Sequence, residues 1–159
     1  MKVTILAVGK VKEKYLRDGI AEYAKRLSRY CKLEIIEVRD EKTPDHLSRV
    51  EESLIKAKES ERLLRYIHED DYVVALAIHG IMLDSVGFSK QIERLGISGI
   101  SHIVFAIGGS LGLSEEFLKR ADYNLSFSKL TFPHQLMRMI LLEQVYRGYR
   151  IMNHEPYHK

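Results

Sequence analysis

Tryptophan is absent and cysteine occurs once, at Cys31, so no internal disulfide can form and a disulfide-built secreted scaffold is excluded. Proline occurs only three times, too rarely for a Pro-rich linker or a fibrous chain. No apolar run approaches the roughly 20 residues that span a bilayer, because even the greasiest stretch, Leu136 to Val145, carries Arg138, Glu143 and Gln144. Charge of one sign is also scarce. The 25 Lys and Arg against 22 Asp and Glu leave +3, a mildly basic balance that names no partner by itself. The opening Met1-Lys2-Val3-Thr4-Ile5 lacks the apolar core of a secretory signal, so the expected compartment is the cytoplasm. What is present is a globular composition, 45% apolar and 30% charged, over 159 residues, which fits one domain spanning 1–159.

Short β-branched runs alternate with longer segments of helical period, the pattern of an α/β fold with a mostly parallel sheet and helices on both faces. The strands expected are Lys2–Val8, Leu33–Val38, Tyr72–Ile78, His102–Ile107 and Tyr123–Ser126. Leu16, Ile20, Tyr23 and Leu27 mark one amphipathic helix, and Val50, Leu54, Ala57, Leu64 and Ile67 another, opened by Pro44-Asp45. Asp84-Ser85 caps a third that ends at Gly96, a short helix covers Glu115–Arg120, and Pro133 sits in the first turn of the last. That last helix is apolar nearly all round. Met137, Ile140 and Leu141 are expected to meet a second subunit, making a homodimer, while its cations read as a solvated face with a polar tail.

Three segments could carry chemistry. Phe105-Ala106-Ile107-Gly108-Gly109-Ser110-Leu111-Gly112 is a buried strand running into glycines, where ligands of open α/β sheets bind; a tight turn needing positive φ is the equal alternative. It matches neither the dinucleotide fingerprint nor the phosphate loop. Leu76-Ala77-Ile78-His79-Gly80 ends a second strand in the same way. The loop Ser126 to His134, rich in hydroxyls and aromatics, suits a flat heterocycle with polar edges or is a packed connection. His154-Glu155-Pro156-Tyr157-His158 has the H-E-x-x-H spacing of zinc sites, but Pro156 breaks the helix that motif needs, so no metal is expected. Cys31 reads as a small hydrophobe.

The run from Ser126 through Gln135, continued by Arg138 and Glu143-Gln144-Val145-Tyr146-Arg147 and closed by Tyr157-His158-Lys159, resembles the RlmH family of the SPOUT superfamily of RNA methyltransferases. Val8-Gly9-Lys10 and Phe105 to Ser110 fit as well, and the likeness spans the chain. The resemblance implies a SPOUT-type α/β knot, with a deep trefoil knot in the C-terminal part, acting as a homodimer with S-adenosyl-L-methionine. It implies methylation of ring nitrogen 3 of pseudouridine 1915 in the 23S rRNA of the assembled ribosome. Its cofactor contacts fall on Leu76, Gly108, Phe127, Ser128, Lys129, Leu130, Thr131 and Phe132. Loss of the imide proton calls for a base or a cation, for which His158, Tyr157 and His134 are candidates. The tail from Asn153 is expected to fold over the cofactor, and Gly108→Val to block the pocket while the fold survives. A flavodoxin-like nucleotide-binding module and an inactive ribosome-binding protein are the other readings.

Overall fold

The computed structural model describes all residues 1–159. Five strands, β1 (Lys2–Val8), β2 (Lys32–Val38), β3 (Tyr72–Met82), β4 (His102–Ile107) and β5 (Tyr123–Ser126), form one sheet in the order β2-β1-β4-β3-β5. Every pair is parallel. The connecting helices are α1 (Lys14–Leu27), α2 (Arg49–Leu64), α3 (Ser85–Ile97), α4 (Glu115–Arg120) and α5 (His134–Met152).

Strand residues divide by parity between two cores, as the two-residue period requires. Val3, Ile5 and Ala7 of β1 with Ile103, Phe105 and Ile107 of β4 pack under α1, α3 and α5. Leu6, Val8, Val104 and Ala106 pack on the other face against Leu63 of α2 and Phe117 of α4. The expected arrangement of helices on both faces is the observed one. The amino ends of three strands are tied by a line of side chains: His102 Nδ1 meets Asp71 at 2.7 Å and Nε2 meets Thr4 Oγ1 at 2.7 Å.

Several boundaries differ from expectation. β3 runs on to Met82, because Leu76 and Ile81 both pair with Leu125 and the residues between bulge out. α2 starts at Arg49 rather than at Pro44-Asp45. Ser48 and Glu51 cap each other's backbone, a reciprocal box that outcompetes the upstream proline. Only the end of its expected apolar stripe reaches the core, at Leu64 and at Ile67 just beyond the helix; Val50, Leu54 and Ala57 lie exposed, while Glu59, Ser60 and Leu63 are covered. α3 continues through Gly96 to Ile97, and Pro133 is the N-cap of α5 rather than part of its first turn.

The largest correction concerns the cations of α5. Arg138 is 1% exposed, so the face read as solvated is partly interior. Met137 and Leu141 are likewise covered within the chain, which removes the reason for assigning them to a second subunit.

Candidate active site

The glycine loops and the aromatic loop all emerge at the carboxyl edge of the sheet, as parallel topology dictates. There a cavity of about 390 Å³ lies between the end of β5, the start of α3 and α5. Its walls are Leu83, Phe88, Leu125, Phe127, Phe132 and Ile140, with Asp84, Ser85 and Gln144 as its polar groups. Both size and apolar lining suit a nucleoside-sized ligand.

Of the eight expected cofactor contacts, Phe127 and Phe132 line this cavity. Leu76 packs beside it against Leu125 and the core. Ser128 shapes the loop: its carbonyl accepts from Ser126 Oγ at 3.1 Å and its hydroxyl from the Leu130 N–H at 3.0 Å. Lys129, Leu130 and Thr131 point outward and are exposed. Gly108 is buried at the end of β4, where a Cβ would stand 2.6 Å from the Gly112 carbonyl carbon. Its φ is not positive; Gly112 is the residue that needs the left-handed region, at φ +87°. The glycine at 108 therefore serves close backbone approach, and Gly108→Val would displace the loop itself rather than only block a pocket.

From the cavity wall a line of hydrogen bonds leads to the tail. Ser85 Oγ donates to Gln144 Oε1 at 2.7 Å, and Gln144 Nε2 donates to Glu143 Oε2 at 2.7 Å. Glu143 Oε1 accepts from Arg147 Nε at 2.8 Å and from the Tyr157 hydroxyl at 3.2 Å. Burial pushes the Tyr157 phenol up to about 12, helped by Glu143, so it stays a donor. Its ring packs edge-on against Tyr146, 5.0 Å between centroids, and the Arg147 guanidinium lies over it. His158 Nδ1 faces Arg147 at 3.2 Å; guanidinium only donates, so this nitrogen accepts and Nε2 carries the proton. The tail thus folds back on the second half of α5.

His134 stands apart from these two candidates, about 20 Å along α5 from Arg147 at 1.5 Å per residue. It is half-buried beside Gly9 and Asp40, with Nδ1 unpartnered, and burial, then Arg138, hold its imidazole below the usual range. Next to it Arg138 donates to Glu37 Oε2 at 2.5 Å and to the carbonyls of Val8 and Gly9 at 2.8 and 2.7 Å. One chain therefore does not gather His134, Tyr157 and His158 into one site.

The H-E-x-x-H spacing has no helix beneath it. α5 ends at Met152, His154 takes φ +54°, and the Glu155 carboxylate is held by Tyr30 and Arg150. Burial pushes the Cys31 thiol up to about 11, so it is no nucleophile. A wide, open hollow of about 720 Å³ beside it lies at the amino edge of the sheet, away from the glycines at the carboxyl ends of β3 and β4.

A family model described as predicted SPOUT methyltransferase matches residues 1–158. The chain belongs to that family. Relatives within it include the ribosomal RNA large subunit methyltransferase H of Clostridium kluyveri, 63% identical, and that of Bifidobacterium adolescentis, 64% identical, each over the full length of both chains. A probable methylase family protein from Haemophilus influenzae Rd KW20 has a similar fold at TM-score 0.50 and 11% identity, covering 96% of this chain and 66% of that one. Sequence reading of this SPOUT chain missed Ser85, Gln144 and Glu143 as linked polar groups. Asp84-Ser85 was legible only as a cap, and nothing local told that α5 lays Gln144 against it.

Proposed function

We propose that the chain is a single-domain rRNA methyltransferase that moves a methyl group from S-adenosyl-L-methionine to ring nitrogen 3 of pseudouridine 1915 in 23S rRNA, acting in the cytoplasm on the assembled ribosome. The full-length identity to relatives named ribosomal RNA large subunit methyltransferase H carries this reading. The cavity at the carboxyl edge supports the cofactor assignment, because three phenylalanines beside a few polar groups fit an adenine ring with polar edges.

When bound, S-adenosylmethionine supplies an electrophilic methyl group on a sulfonium. The chain's own part is to hold the donor and the target ring in line and to exclude water. Phe88, Phe127 and Phe132 hold the base, and the backbone around Gly108 and Ser128 offers donors and acceptors at the strand ends. The Nε2–H of His158 presents a hydrogen-bond donor, with Arg147 behind it and the Tyr157 phenol held on Glu143 beside it, to a pyrimidine imide as its proton passes to solvent. Stabilising that anion, rather than abstracting the proton through His158, is the role their hydrogen bonds favour.

A homodimer and the C-terminal trefoil knot belong to the same proposal. A second copy has an apolar surface to cover: Ile78, Ile81, Met82, Leu83 and Val86 lie exposed from the end of β3 into α3, beside the loop that carries Leu130. The test is transfer of tritiated methyl groups to ribosomes that lack the modification. Label on ring nitrogen 3 of that pseudouridine is expected; FMN binding without affinity for S-adenosylmethionine or S-adenosylhomocysteine would sink the reading.

A further inference from the structure

Glu59 on α2 is 3% exposed, and its two carboxylate oxygens are treated unequally. Oε2 accepts from the Glu41 N–H at 2.9 Å, whereas Oε1 is buried with no partner. Arg62 makes no hydrogen bond to it, because its guanidinium is spent on the Arg39 carbonyl and the Glu41 carboxylate. Oε1 lies against the glycine loop, 2.9 Å from where a Cβ on Gly109 would stand. A buried acceptor left unpaired is costly, and proteins keep one where something else completes it.

We propose that Glu59 Oε1 is the acceptor for a hydrogen-bond donor of the nucleoside bound at the glycine loop, a ribose hydroxyl or an amino-acid ammonium. The inference rests on the methyl-donor reading above and adds a residue to it. Gly109 follows Gly108 at the end of β4, and two strand spacings, about 10 Å, separate β4 from β5 where the apolar cavity begins. With the flat base in that cavity on the α3 and α5 face, the polar part of such a molecule passes over the end of β4 toward α2, and the glycine loop has to shift to uncover Oε1. Burial raises the Glu59 carboxyl above its ordinary range; Asp40 and the Glu41 carboxylate add to this, and the Glu41 N–H and Arg62 oppose it.

E59Q separates the two oxygens. Its amide oxygen keeps the Glu41 N–H, while its NH₂ replaces the unpaired acceptor with a donor. Calorimetric binding of S-adenosylmethionine and S-adenosylhomocysteine should weaken at least about tenfold, with no fall in unfolding temperature. 5′-Methylthioadenosine, which keeps the ribose diol but lacks the ammonium, distinguishes the sources: an equal loss points to the hydroxyls, no loss to the ammonium. Unchanged affinity of E59Q for both sulfur nucleotides overturns the proposal. If the unsubstituted chain binds neither, the methyl-donor reading falls and takes this one with it. Should E59Q not fold, the unsubstituted chain still decides: binding at mildly acid pH, compared in buffers of different ionisation enthalpy, must release protons as the ligand draws Glu59 into its ionised form. Binding without proton release overturns the assignment.

Discussion

Arg138 spends a buried guanidinium on the carbonyls of Val8 and Gly9 at the end of β1, so one of the cations that read as a solvated face in the sequence is a structural pin. Its partner Glu37 retains some exposure and can be rehydrated, but the carbonyls of Val8 and Gly9 cannot. Arg138→Met should therefore cost about 3 kcal/mol in urea unfolding, and Arg138→Lys should not restore it, since one ammonium cannot span three acceptors in that plane. His134 beside it makes a second prediction. Its folded pKa is depressed by burial and by Arg138 against the opposing Asp40. Its contribution is present above the ordinary histidine pKa and is lost as pH falls from there toward the depressed folded value. Unfolding free energy measured from about pH 7 down to about pH 5 should drop more steeply for the parent chain than for His134→Gln.

β1, β4 and the first half of β3 were legible in sequence because continuous apolar runs leading into glycine have few other uses, whereas the extension of β3 to Met82 was not. The aromatic loop was legible only in part. Phe127 and Phe132 face the cavity, yet the period of the loop does not say that Leu130 turns outward. Val50 and Leu54 kept helical spacing and still stayed exposed, because the first turns of α2 are not covered by the sheet. Arg138 and Glu59 were out of reach, since their partners lie 101 and 18 residues away and nothing local marks a charge for burial. The tail belongs to this scale as well. Arg150 holds the Pro156 carbonyl and Tyr157 packs on Tyr146, so Pro156–Lys159 is docked rather than frayed. Deleting it should lower stability by about 1 kcal/mol, most of it from the aromatic contact. Methyl transfer to ribosomes should fall by orders of magnitude while S-adenosylhomocysteine binding changes little; full activity would show that Tyr157 and His158 take no part.

At the scale of the molecule, the exposed apolar rim from Ile78 to Val86 predicts where copies meet. Ile81→Lys with Met82→Glu should shift sedimentation at low micromolar concentration from dimer to monomer, whereas a substitution at the exposed Leu54 should not. β4 lies between β1 and β3, with Lys2 paired to His102, so the centre of the sheet closes only after a hundred residues have been made. Such a chain has few early native neighbours for its first strand, and non-local parallel pairing is slow to form. Refolding after dilution from urea should take about a second or longer rather than milliseconds. A fragment ending before His102 should remain unfolded, leaving β1 and β2 in need of protection until synthesis passes β4.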